Sequence, residues 1–210
     1  MKNIIVLEND NTIKKTFLYE MDYYTEKSFY EEFKGFQFIP KVVSEGDVNC
    51  QDSLEISLYL EHIKGKSLYD CNTTEQLYLA ETLGKFHKET FDQSTGMCLV
   101  HFDTNLSNYL YKDDKVFMLD FSDIAIASPL VDVYSVMLFF AEIHEPEVFF
   151  IFFDEFLKRY FDALGCELQH LEDILKKEID RFENRREEHK KCINNYHLYL
   201  QNVKTLKLCM

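Results

Sequence analysis

The chain has no tryptophan, three prolines and six glycines in 210 residues, and no glycine precedes Gly35. So few chain breakers exclude a collagenous, linker-like or low-complexity polypeptide. They also exclude a glycine-rich phosphate-binding turn anywhere before Gly35. Six cysteines, at 50, 71, 98, 166, 192 and 209, form no C-x-x-C pair and no zinc-like spacing with the seven histidines. We therefore expect reduced thiols and a cytoplasmic protein. Long apolar runs are missing too. Ile4 to Leu7 is strand-sized, too short for a secretion signal, and Val133 to Phe153 is broken by Glu142, His144, Glu145, Pro146 and Glu147. No membrane role is expected. Positive charge is scarce, with 23 Lys and Arg against 37 Asp and Glu, a formal net charge of −14. That balance argues against a nucleic-acid or anionic-membrane partner and only weakly favours a cationic one.

What is present is apolar and aromatic. With 46% hydrophobic residues, including 19 Phe and 13 Tyr, the chain can build one large domain or two small lobes sharing a cleft.

Residues 3 to 18 read as two short strands about the turn Glu8-Asn9-Asp10-Asn11. Aromatics from Tyr24 to Phe33 recur at nearly helical spacing, and Gly35 sits where such a helix would end. Pro40 opens an extended run, Lys41 to Val43, and Leu54 to His62 alternates as a further strand. After Ile63-Lys64-Gly65 the pattern turns helical. Asn72-Thr73-Thr74 supplies caps for a helix running to His87. Beyond Pro129, helices are expected over Leu130 to Ile143 and Val148 to Leu164, the latter ended by Gly165, followed by a long charged segment from Leu168 to Leu208. The expectation is an α+β chain with a β-rich lobe at 1–65 and a mostly helical lobe at 66–210.

Inserted in the helical part is HFDTNLSNYLYKDDKVFMLDFSD, residues 101 to 123. Tyr109 to Tyr111 and Val116 to Leu119 read as strands joined by Lys112-Asp113-Asp114-Lys115. Pairing them brings Asn108 nearly opposite Asp120 at the open end, and the loop from His101 delivers Asp103 to the same end. An amide oxygen and a carboxylate suit Mg2+, which takes few protein oxygens alongside phosphate and water. A second, unligated carboxylate could accept a proton from an attacking hydroxyl. A solvated surface hairpin is one alternative. Calcium is another, with Asp103, Asn105, Ser107 and Asp114 at positions of an EF-hand-like loop, although Asn108 stands where that loop needs glycine.

The order His101-x-Asp103-x4-Asn108, then Asp120-Phe121-Ser122, resembles the catalytic loop and DFG-type metal loop of the protein-kinase-like fold. It is most similar to the aminoglycoside phosphotransferase and choline kinase group, with the small kinase of the KEOPS tRNA-modification complex nearby. Tyr59 to Gly65 resembles the interlobe hinge, with Glu61 and Ile63 then at the adenine. Leu83 to His87 resembles the end of the helix before the catalytic loop, and Pro129-Leu130-Val131-Asp132 the buried Asp that braces it.

The resemblance implies a two-lobed fold, ATP and Mg2+ as cofactors, and a small-molecule hydroxyl acceptor. It implies Asp103 as catalytic base, His101 as a member of the catalytic loop, Asn108 and Asp120 as metal ligands, and Asp132 as structural brace. Asp123 is either near the metal or substrate or a solvated loop acid. In the first lobe, Lys14 fits the lysine that pairs the ATP phosphates, a one-residue register change would make it Lys15, and Glu26 fits its partner. Glu31 and Glu32 are the fallback for that partner, and a solvated helix face is the structural alternative for all three.

Departures are visible as well. The glycine-rich lid is missing, which should weaken ATP binding and positioning. Phe102 stands where protein kinases carry Arg and phosphotransferases carry Gly, so activation through a loop phosphate is not expected. Ser122 replaces the last Gly of DFG, and Lys204 to Met210 lacks the Arg-rich tail of the KEOPS-type kinase. An atypical Ser/Thr protein kinase and a nucleotide-binding or scaffold pseudokinase are the alternatives. Glu142, Glu145 and Glu147 would suit a cationic acceptor, and a solvated loop explains them equally well.

Overall fold

Hydrophobic alternation and helical spacing resolve into two lobes in the computed structural model, which describes residues 3–50, 53–169, 172–188 and 195–208. The first lobe is a four-stranded antiparallel sheet in the order β1-β2-β4-β3. β1 (Ile4–Asn9) and β2 (Thr12–Phe17) form the expected hairpin, in whose turn the Asn9 side chain accepts the Asn11 N–H at 2.9 Å. The other edge of β2 pairs with β4 (Ser53–Glu61), which pairs with β3 (Val42–Cys50). Along β2 the alternation buries Lys15 and Phe17 on one face. α1 (Glu20–Glu32) begins earlier than Tyr24 and buries Tyr23, Glu26, Phe29 and Tyr30. This three-and-four spacing sets one carboxylate among aromatics on the inward face of the helix.

Beyond the hinge come β5 (Lys66–Ser67), α2 (Thr73–Gln76), α3 (Tyr78–Thr90), β6 (Cys98–Val100), β7 (Tyr109–Lys112), β8 (Lys115–Met118) and β9 (Ala125–Ala127). The chain closes with α4 (Leu130–Ala141), α5 (Pro146–Leu164), α6 (Glu172–Glu188) and α7 (Tyr196–Leu208). Asn72 caps α2 as expected, accepting the Glu75 N–H at 3.0 Å while Glu75 accepts the Asn72 N–H at 2.8 Å. The helix expected to continue to His87 breaks at Leu77, just after buried Gln76 ties α2 to the Leu68 carbonyl at 3.0 Å. β7 and β8 form the expected hairpin, with Tyr109 opposite Met118.

α3 lies so close on α5 that a Cβ at Gly84 would meet the Tyr160 carbonyl at 2.6 Å. α4 is buried on almost every side, as its largely apolar sequence demands, and α6 and α7 both pack on it. α5 starts at Pro146 and stops at Gly165, whose φ of 85° is the left-handed conformation glycine adopts freely. Among the described residues no helix is long and apolar enough to cross a membrane. The described side chains of Cys71, Cys98 and Cys166 are free thiols.

Between α4 and α5, His144 is packed against Phe140 and Phe152 at ring distances of 5.7 and 4.9 Å, and its Nε2 has no partner. Burial pushes its pKa down to about 4. A depressed folded-state pKa contributes stability that is complete above the unfolded value and lost as pH falls toward the folded one. The His144 share of the stability should therefore fall by about 2 kcal/mol between about pH 7.5 and about pH 5. Urea unfolding of the wild type and His144→Phe at both pH values checks this: the difference between the two proteins should shrink or reverse at the lower pH.

Candidate active site

The buried face of β2 and the inward face of α1 meet at a charged contact. Lys15 Nζ lies 2.5 Å from Glu26 Oε2 and 2.8 Å from Asp120 Oδ1. Glu26 is fully buried, and burial pushes its carboxyl up to about 7 against the pull of Lys15. Burial also opposes the charge of Lys15, but Glu26 and Asp120 outweigh it and raise its pKa. Burial likewise disfavours ionised Asp120, yet the Lys15 charge and hydrogen bonds from Lys15 and Ser122 hold its carboxyl below the usual range. The aromatic packing fixes this contact from behind: Phe121 stacks on Phe29 of α1 at 3.9 Å between ring centres.

The loop from His101 to Asn108 is hung on Asp132 at the start of α4. Asp132 Oδ2 accepts the His101 N–H at 2.6 Å and Oδ1 accepts the Phe102 N–H at 2.9 Å. His87 from α3 adds a contact from Nε2 to Asp132 Oδ2 at 3.1 Å, and its Nδ1 meets the Tyr160 hydroxyl at 2.7 Å. Burial alone would raise the Asp132 carboxyl, but its partners, His87 first, hold it below the usual range. The His101 ring donates through Nε2 to the Leu119 carbonyl at 2.9 Å, joining the loop to the segment that carries Asp120.

Two residues here adopt left-handed backbone without being glycine, Phe102 at φ 68° and Asp120 at φ 64°. Each conformation costs on the order of 1 kcal/mol or more and persists because its surroundings hold it. For Phe102 the hold is the Asp132 bond, together with Arg181 of α6, whose guanidinium lies 4.1 Å over the Phe102 ring. The site thus tolerates a phenylalanine where glycine would sit without strain.

At the open end of the hairpin, Asn108 Nδ2 donates to Asp103 Oδ2 at 2.9 Å and to the Asp103 carbonyl at 3.0 Å. The other Asp103 oxygen, Oδ1, lies 3.6 Å from Arg185 Nη1. With its nitrogen turned to Asp103, the Asn108 amide leaves its oxygen for a cation. Asp120 uses Oδ1 for Lys15 and Ser122, and Oδ2 has no partner among the described residues. Two hard oxygens, one from an amide and one from a carboxylate, fit Mg2+ completed by phosphate and water. Among the described residues no three His, Cys, Asp or Glu side chains group as a metal site, and Asp114 bonds Tyr111 at 2.7 Å at the far end of the hairpin. The EF-hand-like reading has nothing to stand on.

The structure corrects the expected lysine. Lys15, not Lys14, meets Glu26 and Asp120, because Ile13, Lys15 and Phe17 share the inward face of β2. Glu26 rather than Glu31 or Glu32 is the partner, since Glu31 and Glu32 are exposed. Glu61 ends β4, its N–H donating to the Lys41 carbonyl at 2.8 Å, and Ile63 is buried in the hinge with its carbonyl accepting from Gly65 at 2.9 Å. Asp123 faces solvent, its carboxyl pushed up by partial burial and then by the charge of Asp103. Glu142 is buried and bound to Arg186 at 2.8 Å, so it is no free acid for a cationic acceptor. Arg181, Arg185 and Tyr160 were not expected at the site. The arginines sit in a charged helical run that reads as a solvated face, and only tertiary packing brings them here.

No family model and no curated protein sequence matches the chain. Solved structures do. An aminoglycoside phosphotransferase from Streptomyces rimosus is 9% identical with a TM-score of 0.61, over 96% of this chain and 92% of that one. An amicoumacin kinase in complex with AMP-PNP, Ca2+ and Ami is 15% identical with a TM-score of 0.59, over 80% and 73%. A choline kinase from Cryptosporidium parvum is 10% identical with a TM-score of 0.55, over 85% and 78%. The fold is the two-lobed protein-kinase-like fold. Within it, the likeness runs to the small-molecule kinases, aminoglycoside phosphotransferases and choline kinase.

Proposed function

We propose that the chain is a phosphotransferase that uses ATP and Mg2+ to phosphorylate a hydroxyl of a small molecule. The observation that carries this reading is the convergence of Lys15, Glu26 and Asp120 from three elements beside the Asp103–Asn108 pair. Residues 1–65 form the nucleotide-covering lobe and residues 66–210 carry the catalytic hairpin and the acceptor side. Glu61 and Ile63 line the adenine, where the Ile63 N–H donates to no described group. Lys15, held in place by Glu26, pairs the phosphates. Asp120 and the Asn108 amide oxygen hold Mg2+, which neutralises charge on the phosphates when bound.

The transfer breaks the bond from the γ-phosphorus to its bridging oxygen, whose electron pair stays on ADP. A new P–O bond forms to the acceptor, and the acceptor's proton passes to Asp103. His101 and Asp132 position the loop without touching substrate. The turn at Asp10 and Asn11 offers no glycine-rich cradle, so among this chain's own residues Lys15 would carry the main phosphate contact. A thermal-shift titration with ATP tests the nucleotide half of the reading. Stabilisation should require Mg2+ and be lost in Asp120→Ala; no shift at millimolar ATP would contradict it.

A further inference from the structure

The three arginines of α6 stand in different relations to the site. Arg181 is committed to Glu178 at 2.5 Å, to Ser135 and to the Phe102 carbonyl and ring. Arg186 is committed to buried Glu142. Arg185, one helical turn beyond Arg181, keeps 42% of its side chain exposed and makes no hydrogen bond to any described residue. Among the described residues its ion pair is to Asp103, too long for a hydrogen bond and too exposed to contribute much to stability. A partly exposed guanidinium that hydrogen-bonds no described group is suited to a bidentate carboxylate or phosphate.

Its position decides what that anion belongs to. Asp103 offers one oxygen to Asn108 and the other to Arg185, so the two flank the carboxylate. Asn108 is on the side proposed for metal and nucleotide. Arg185 is then on the side from which the acceptor hydroxyl reaches Asp103. Asp123 feels the charges of both Asp103 and Arg185, so two carboxylates would repel an anion here unless Arg185 offset them.

We propose that Arg185 is a specificity-determining residue that binds an anionic group of the acceptor, so that the substrate class is a hydroxyl compound bearing a carboxylate or phosphate. This rests on the phosphotransferase reading above. The test is ADP release by the full chain with ATP and Mg2+ and glycerol, glycerate, glycerol phosphate or choline as acceptor. The anionic members should show KM at least about tenfold below glycerol and choline. Arg185→Gln should raise that KM by about tenfold or more with kcat changed far less, Arg185→Lys should restore part, and Arg185→Glu should turn preference toward choline. Wild-type preference for choline or glycerol, or an unchanged KM in Arg185→Gln, overturns the proposal. If none of these four acceptors stimulates ADP release, thermal shifts by glycerate and glycerol phosphate decide on Arg185 alone, and a wider acceptor panel decides separately on the phosphotransfer reading. A shift lost in Arg185→Gln supports the anion site, and no shift overturns it.

Discussion

Asp103→Asn is expected to lower kcat for acceptor-dependent ADP release by about 10³-fold, within the range that a positioned general base supplies. The substitution keeps the shape of the side chain and an oxygen able to accept from Asn108, but it removes the basic oxygen proposed to take the hydroxyl proton. The lost ion pair to Arg185 is long and only partly buried, so unfolding by heat should be nearly that of the wild type. Steady-state kinetics with thermal denaturation on the same preparation checks both halves. A kcat within about tenfold of wild type would remove Asp103 from the chemistry.

Asp132→Ala is expected to cost stability of about 3 to 5 kcal/mol, the range for removing one partner from a buried charged network. The side chain is fully buried and accepts from two consecutive amides, His101 and Phe102, while meeting His87. Alanine leaves those donors without acceptors in the core and releases the left-handed Phe102 from one of its two restraints. Asp132→Asn should lie between, since one oxygen survives and its NH2 confronts an amide donor. Urea unfolding measures the difference, and a loss below about 1 kcal/mol would show that the loop is held elsewhere.

Much of this architecture was legible because the informative residues are close in sequence. One hairpin holds Asn108 near Asp120, and its turn and alternation are local signals; Asp103 follows from the loop that feeds it. The hinge and the Asp132 brace came from resemblance, and the structure supplies their contacts. The lysine was misplaced by one residue, since Thr12-Ile13-Lys14-Lys15 puts a lysine on each face of the strand. Phe17 was the available signal: it alternates with Lys15, not Lys14, and an aromatic at the end of a half-buried strand marks the inward face. β6 and β9 have three residues each and are held by pairing with one another, so neither has enough alternation to declare itself. Arg181 and Arg185 owe their place to how α6 packs on α4, which no local pattern encodes.

With the wild-type chain, ADP release from ATP and Mg2+ is measured across aminoglycosides, choline, sugars, hydroxy acids and a generic protein. Release should be stimulated by a small hydroxyl compound and should cease without Mg2+. Binding of ATP with no stimulation by any acceptor, or stimulation by protein alone, would contradict the proposed function.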